Sequence, residues 1–355
     1  MDATNNLTTF NCPSTEHRFL LAVYIVIVTF LNVLLLYFIR YKTTQNMQTY
    51  KIVLYSTTII DFFSAWSQAL IGIRISLQGD MQTYNLDGIL PALIGNWEIF
   101  SGGRLHFLAM LETFFAAFSL SFGPVAFVYR YFAVCREYKL SPTQFFSIVA
   151  FLGFCTLFSA GSYAYMSNMF YDENVLIIPM DPQCLRSLSS WTARQSVRNT
   201  DGTPHGTVEY WLLRGWFYSL STILGSYFII FLLGWRIQVA LKQQTALFET
   251  KKAKEIQKQL NWTIWMQALI PFFTCGIALL FYYYAIRTNT FKLEAFTLQF
   301  YSFMVFPIIN PCISIFFISA YRRSYIAFWQ WLFGLNRVHD DSKVNPTQNR
   351  ITGST

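Results

Sequence analysis

The amino-acid sequence predicts an all-α integral membrane protein: a bundle of seven transmembrane helices followed by a short helix on the membrane surface. Two observations carry this prediction. The chain is 54% hydrophobic and only 12% charged, whereas a soluble domain carries roughly 25% charged residues. Its apolar residues also fall in seven long runs, most of them long enough to cross a hydrocarbon layer of about 30 Å. Lipid is therefore expected to replace water over much of the surface.

The seven runs follow a polar N-terminal segment, residues 1–18, which contains an N-glycosylation sequon at Asn6. No basic segment precedes the first run and no small-residue cleavage site follows it, so the first helix is predicted to be a retained signal-anchor. The domain at 19–319 is predicted to contain transmembrane helices at residues 19–39, 50–75, 105–130, 144–167, 211–235, 262–286 and 295–319.

Two further segments are too short or too interrupted to span a membrane. Leu86–Phe100 is broken by two glycines, a proline and a glutamate, and we predict an extracellular loop there. Residues 320–335 begin with basic side chains and continue with bulky aromatic ones, which is typical of an amphipathic helix on the membrane surface. The polar residues 336–355 are predicted to be a disordered cytoplasmic tail.

The distribution of basic residues predicts the orientation. Most of the 26 Lys and Arg residues lie in the loops after the first, third and fifth helices and in the C-terminal tail. The positive-inside rule then places the N-terminus outside and the C-terminus in the cytoplasm of a multi-pass plasma-membrane protein. Because the basic residues occupy short loops between apolar runs, the net charge of +8 does not indicate nucleic-acid binding.

Motifs for catalysis or for binding a metal or cofactor are absent from the sequence. It has no CxxC pair, no HExxH, no glycine-rich phosphate loop and no GxSxG. We therefore predict that the protein is not an enzyme and has no cofactor. Cys12 and Cys184 are the only cysteines in polar segments, and the predicted topology puts both on the oxidising side. They are either a disulfide pair or two free thiols.

The third apolar run carries one carboxylate, Glu112, and ends at Tyr129-Arg130-Tyr131. Glu112 and Arg130 are 18 residues apart, so both lie on one helix face about 27 Å from each other. A rigid helix with a polar group near each membrane surface indicates a receptor. Glu112 is a candidate ligand contact or the partner of Arg74, whose predicted depth in the second helix is similar.

An ionisable side chain at bilayer depth is costly and needs a structural or functional explanation. Asp61 lies in the middle of the second predicted helix. It forms either an inner hydration or ion site with Asn32 and Asn310, or a hydrogen-bonded packing contact.

Three motifs resemble those of G-protein-coupled receptors. Tyr129–Tyr131 resembles the arginine motif that ends their third helix, with Arg130 as the expected switch and coupling residue. Pro307–Pro311, followed by Tyr321–Arg323, resembles their seventh-helix Asn-Pro motif, here Asn310 and Pro311, and the turn into a surface helix. Asn32 and Asp61 match their inner polar network.

Three segments have sequences that resemble those of the nematode serpentine chemoreceptors of the Str superfamily. The segments are LNVLLLYFIRYKT (31–43), VYRYFAVCR (128–136) and FPIINPCISIFFISAYRR (306–323). Within the superfamily, the ending of the seventh helix is most similar to class delta (Srd). The resemblance implies an olfactory receptor in a sensory cilium that binds an unknown small-molecule ligand and activates a heterotrimeric G protein.

Several residues depart from the rhodopsin-like pattern. Tyr129 stands where an acidic residue usually precedes the arginine, so an ionic latch by a neighbouring acid is unavailable. No cysteine stands at the outer end of the third helix, so the common disulfide from that position cannot form. Gln267 and Ala268 stand where an aromatic toggle is expected, although Pro271 follows them.

Other classes of membrane protein remain as alternatives at this point. A transporter would show internal repeats and paired broken helices, which this sequence lacks. A ligand-gated channel of the insect odorant type would place the N-terminus inside, contrary to the distribution of basic residues. A membrane scaffold without a ligand is also compatible with the sequence.

Overall fold

A computed structural model describes residues 15–43, 45–78, 81–86, 88–90, 103–169, 191–196, 206–244, 251–288 and 292–334. Its helices are α1 Thr15–Tyr41, α2 Lys51–Ile71, α3 Gly103–Ser121, α4 Gly123–Cys135, α5 Pro142–Met169, α6 Gly206–Gln244, α7 Lys251–Thr288, α8 Lys292–Phe317 and α9 Ser319–Leu332. A 3₁₀ helix, Gln45–Tyr50, precedes α2. The candidate glycosylation site Asn6 and the candidate disulfide partners Cys12 and Cys184 lie outside the described residues.

Four stretches within these ranges are individually long and apolar enough to cross a membrane: Phe19–Tyr41, Met110–Cys135, Pro142–Gly161 and Leu224–Gln243. The end of α8 and all of α9 form a fifth candidate, bent by 98° between Phe317 and Ser319. α2 is less apolar because it carries several polar side chains, among them Asp61, Ser64 and Gln68, and all three are buried inside the bundle.

The third apolar run is two helices rather than the single predicted one. α3 ends at Ser121 and α4 begins at Gly123, with Pro124 in the first turn of α4. Proline has no backbone N–H and cannot continue the hydrogen-bond ladder of a preceding helix. Short-range bonds from Phe122 N to Ser119 O (3.3 Å) and from Val125 N to Phe122 O (3.0 Å) connect the two helices.

A small antiparallel sheet, absent from the sequence prediction, follows α2. It consists of β1 Ile73–Gln78, β2 Met81–Leu86 and β3 Trp191–Ser196, in that order. The second helix was expected to reach residue 75, but it ends at Ile71, because Gly72 adopts a left-handed conformation with φ of 60°. The chain then turns into β1, so Arg74 lies in a strand, opposite Asn85 of β2.

Apolar side chains face both the interior and the surroundings of the bundle. A buried apolar core includes Phe38, Phe127 and Phe145. On the outside, Phe151 and Phe154 of α5 are 71% and 67% exposed. Large apolar surfaces of this kind are rare on soluble proteins and fit a helix that faces lipid.

Two glycines on α6 have contrasting surroundings. At Gly234, an added Cβ would overlap the Trp265 ring of α7 and lie 3.1 Å from the Phe127 ring of α4. At Gly225, an added Cβ would have no atom within 4 Å. The absence of a side chain at Gly234 therefore allows α6 to approach the Phe127–Trp265 ring pair, whose centroids are 5.4 Å apart.

We predict that Gly234→Ala lowers the free energy of unfolding by about 1–3 kcal/mol, because the added methyl group overpacks this contact. The matched change Gly225→Ala should be neutral or raise stability by up to about 1 kcal/mol, since alanine favours the helix. Thermal denaturation of the detergent-solubilised protein measures both. Equal effects of the two changes would contradict the close packing at Gly234.

Candidate functional site

The Asp61 carboxylate joins three helices in the interior of the bundle. Asp61 is 1% exposed on α2. Its Oδ1 accepts a hydrogen bond from Ser119 Oγ of α3 at 2.5 Å, and its Oδ2 accepts one from Asn310 Nδ2 of α8 at 2.8 Å. We call these three residues the Asp61 network. A buried carboxylate is tolerated when its oxygens accept such bonds.

Asn32 of α1 makes a second link to α8. Its Nδ2 donates to Val28 O at 2.9 Å within α1 and to Pro307 O at 3.2 Å across the interface. In a regular helix, the backbone N–H of residue 311 would donate to Pro307 O, but Pro311 has no N–H. Asn32 therefore supplies the donor that Pro311 removes from α8.

The sequence analysis named four of the residues in this region: Asn32, Asp61, Asn310 and Pro311. The structure places all four at the α1–α2–α8 interface, with Asp61 bonded to Asn310 and Asn32 bonded to the carbonyl that Pro311 leaves free. Ser119 was missed. Its only sequence signal is a hydroxyl inside an apolar run, shortly before the break ahead of Pro124.

Arg130 lies inside an aromatic cluster at the end of α4. Its side chain is 0% exposed, and its Cζ atom lies 5.7 Å from the centroid of the Tyr50 ring. Tyr129 meets Tyr50 edge-on at 6.2 Å and 69°, and meets Phe145 of α5 at 5.7 Å and 90°. Tyr131 is half-buried and packs against the neighbouring ring of Phe132. Tyr50 was not anticipated from the sequence.

The electrostatics at Tyr50 reflect this packing. Burial raises the pKa of the Tyr50 hydroxyl above its usual value, and the positive charge of Arg130 acts in the opposite direction. Arg130 lies over the Tyr50 ring, with 5.7 Å between Cζ and the ring centroid.

Gln267 and Gln259 of α7 form hydrogen bonds to α8 and to the start of α9. Gln267 Nε2 donates to Ser314 Oγ at 2.9 Å, and Gln259 Oε1 accepts a bond from the backbone N–H of Ser319 at 3.2 Å. The second bond reaches the first residue of α9. Gln267, which stands where an aromatic residue was expected, thus makes a polar contact between these helices.

The Tyr321–Arg323 motif anchors α9 at its start. Tyr321 is buried, and its hydroxyl lies 2.9 Å from Thr43 Oγ1, just after α1. Its ring stacks against Phe38 with centroids 6.2 Å apart. Arg322 and Arg323 are exposed. The buried tyrosine connects α9 to the segment that follows α1. Arg322 Nη1 donates to Phe316 O and Arg323 Nε donates to Ser319 O, each at 3.3 Å.

The described side chains do not test the predicted Arg74–Glu112 pair. Glu112 is buried on α3, with 8% exposure. The backbone of Arg74 lies in β1, and its side chain is outside the described set. The pairing therefore stays a prediction. Within the ranges that the structure describes, no group of three or more His, Cys, Asp or Glu residues could hold a metal ion.

Two comparisons with known proteins bear on this arrangement. A family described as serpentine type 7TM GPCR chemoreceptor Str matches residues 17–326. The chain belongs to the Str chemoreceptor family. The crystal structure of squid rhodopsin is similar to this receptor with a TM-score of 0.54, 13% sequence identity, and coverage of 93% of this chain and 90% of that chain. No curated protein sequence matches.

The family and the fold settle the general class of this receptor. It is a multi-pass membrane protein of the G-protein-coupled receptor type, as the resemblance implied, and its family is a receptor family rather than an enzyme family. At 13% identity, the likeness to squid rhodopsin supports the seven-helix fold alone. Neither match supports the transporter, channel or scaffold alternatives.

We predict that Asn32→Leu lowers the free energy of unfolding by about 1–3 kcal/mol, because it leaves the buried Pro307 carbonyl without its donor. In a Pro311→Ala background the helix regains its own N–H, so the same change should cost clearly less. A double-mutant cycle on detergent-solubilised receptor measures this coupling. Additive effects of the two changes would mean that Asn32 does not compensate for Pro311.

Proposed function

We propose that this Str receptor is a chemosensory receptor of class delta (Srd) that binds an external small molecule and activates a heterotrimeric G protein. Its proposed location is the plasma membrane of a sensory cilium, where it would serve olfaction. Family membership supports the receptor function. The observation that carries G-protein activation is Arg130, a fully buried arginine at the end of α4 where the third apolar run stops.

The proposed orientation places the Arg130 end of the bundle in the cytoplasm and the N-terminus outside. Arg136 and Lys139 follow α4 and are exposed, as are Arg322 and Arg323 at the start of α9. This concentration of exposed positive charge fits the cytoplasmic side of a membrane. Epitope tags at the two termini, tested on intact and permeabilised cells, would decide the orientation.

The polar contacts suggest how the Arg130 end could open for a G protein. Gln267 and Gln259 of α7 bond to Ser314 of α8 and to the backbone N–H of Ser319 at the start of α9, and in this proposal both bonds break when the Arg130 end opens. Pro271 in α7 and the prolines of α8 interrupt the helical ladder and provide positions for bending. Ligand binding would shift α7 relative to α8, and the basic segment Lys251–Lys258 is a candidate contact for the G protein.

The other end of the bundle is the proposed ligand side. Glu112 is buried in α3, and Arg74 lies in the sheet that follows α2. We propose them as a charge pair or, for Glu112, as a ligand contact. A Cys12–Cys184 disulfide and glycosylation at Asn6 would both belong to this side.

The Asp61 network lies between these two ends. Asp61 bonds α2 to α8 through Asn310, so in this proposal a shift of α8 relative to α2 changes this hydrogen bond. Asn32 Oδ1 and Asn310 Oδ1 are buried and accept no hydrogen bond from the described protein atoms. These two oxygens favour an inner hydration or ion site over a simple packing contact.

The function is tested by a ligand screen. Cells that express the receptor are exposed to a panel of small volatile organic molecules, and G-protein activation is recorded with several Gα subunits. An active compound that has no effect on untransfected cells would support the proposal. A receptor that reaches the surface but activates no Gα subunit, even without added compound, would count against it.

We predict that Arg130→Ala abolishes G-protein activation but leaves surface expression intact, because the side chain that changes partners on activation is lost. Arg136→Ala is the matched control, since Arg136 is exposed six residues further on and also contributes positive charge at this end. It should retain signalling. Full signalling by Arg130→Ala at equal surface level would mean that Arg130 only contributes the positive charge that sets the orientation of the protein in the membrane.

We also predict that Gln267→Leu raises ligand-independent G-protein activation about two- to tenfold. It removes the bond to Ser314 with little change in volume, and one such bond contributes about 0.5–1.5 kcal/mol. Ser314→Ala should raise activity similarly, and the double variant should add little more, since both changes remove the same bond. Unchanged activity in both single variants would exclude this bond as a restraint on α7.

A further inference from the structure

A fully buried guanidinium must interact favourably with its surroundings, because removal of a charge from water is costly. Arg130 is 0% exposed, yet the residue before it is Tyr129 and not an acid. The face of an aromatic ring attracts a cation that lies within about 6 Å of the ring centroid. The 5.7 Å distance from Arg130 Cζ to the Tyr50 centroid meets this condition.

The Tyr50 ring is held in place by its neighbours. Tyr50 is 5% exposed and ends the 3₁₀ helix Gln45–Tyr50, directly before α2. The edge-on contact with Tyr129 restrains the ring, and Tyr129 is restrained in turn by Phe145 of α5. Through Tyr129 the Tyr50 ring is held in one orientation, with its face toward the guanidinium. The segment between α1 and α2 is thereby connected to the end of α4.

We propose that Tyr50 is the positioning residue for Arg130 in the resting receptor, and that it holds the guanidinium through a cation–π contact. The contact takes the role that an acidic neighbour of the arginine would have. A G protein that binds Arg130 must first draw it away from the Tyr50 ring, so this contact restrains activation. That regulatory consequence rests on the proposed function, whereas the contact itself does not.

The test varies the charge distribution of the ring without changing its packing. Residue 50 is replaced by phenylalanine carrying zero, one, two or three fluorines, introduced through a suppressed stop codon in full-length receptor. Fluorine withdraws electrons from the ring face and weakens cation binding stepwise. The same series at Phe38, an equally buried ring that stacks on Tyr321, is the control for fluorination itself.

Two quantities are measured on each variant. One is the thermal denaturation midpoint of purified receptor in detergent, which requires no G protein. The other is ligand-independent nucleotide exchange on purified heterotrimer. At position 50 we expect the midpoint to fall and the exchange rate to rise with each fluorine, reaching roughly two- to thirtyfold in exchange rate for the trifluorinated ring. The series at Phe38 should show no such gradient.

The outcomes separate this inference from the proposed function. A flat midpoint across the Tyr50 series overturns the cation–π contact, whether or not the receptor activates a G protein. A graded midpoint with graded exchange supports both the contact and its restraint on activation. If the midpoint is graded while every variant and the parent receptor fail to stimulate exchange, the contact stands and G-protein coupling fails. Tyr50→Phe should match the parent receptor in both measurements, because it keeps the ring face.

Discussion

The Asp61 carboxylate is the polar centre on which the arrangement of the bundle depends. In a bilayer no water is available to replace a lost hydrogen bond, so each buried polar group must find a partner within the protein. Asp61 finds two, on α3 and on α8. These bonds fix the rotation of α2, because its carboxylate must face Ser119 and Asn310 rather than lipid. Apolar contacts alone would tolerate several rotations of a helix that is hydrophobic on most sides.

The same requirement governs the prolines of α8. Pro311 has no backbone N–H, so the helix supplies no donor to the Pro307 carbonyl. Asn32 of α1 donates to this carbonyl instead. A local defect in one helix thus becomes a specific contact with another. α8 is therefore tied to α2 through Asp61 and to α1 through Asn32.

Arg130 follows different chemistry at the end of α4. The acidic neighbour expected from the resemblance to rhodopsin-like receptors is replaced by Tyr129, and the guanidinium lies over the Tyr50 ring. An ion pair and a cation–π contact both favour the charged arginine, but the ring contact is less directional and has no second charge to desolvate. Tyr50 comes from the segment between α1 and α2, so this packing involves a part of the chain that no arginine motif includes.

Composition and hydropathy were sufficient to predict a helical membrane protein. Each apolar run is a local property of the chain, and its side chains are stable in lipid whatever the rest of the fold. Motif residues such as Asn32, Asp61 and Asn310 were also identifiable, because polar side chains inside apolar runs stand out. The end of α2 at Gly72 and the break before Pro124 have local causes, a glycine and a proline. The antiparallel sheet has no such local cause, because it joins β2 to β3, which lies more than a hundred residues further along the chain. Ser119, Tyr50 and the Asn32–Pro307 bond depend on which faces of distant helices meet. The sequence determined that this is a helical membrane protein and which polar groups inside apolar runs need partners. The tertiary structure alone decided the partners, because helix rotation and packing are set by contacts between segments far apart in the chain.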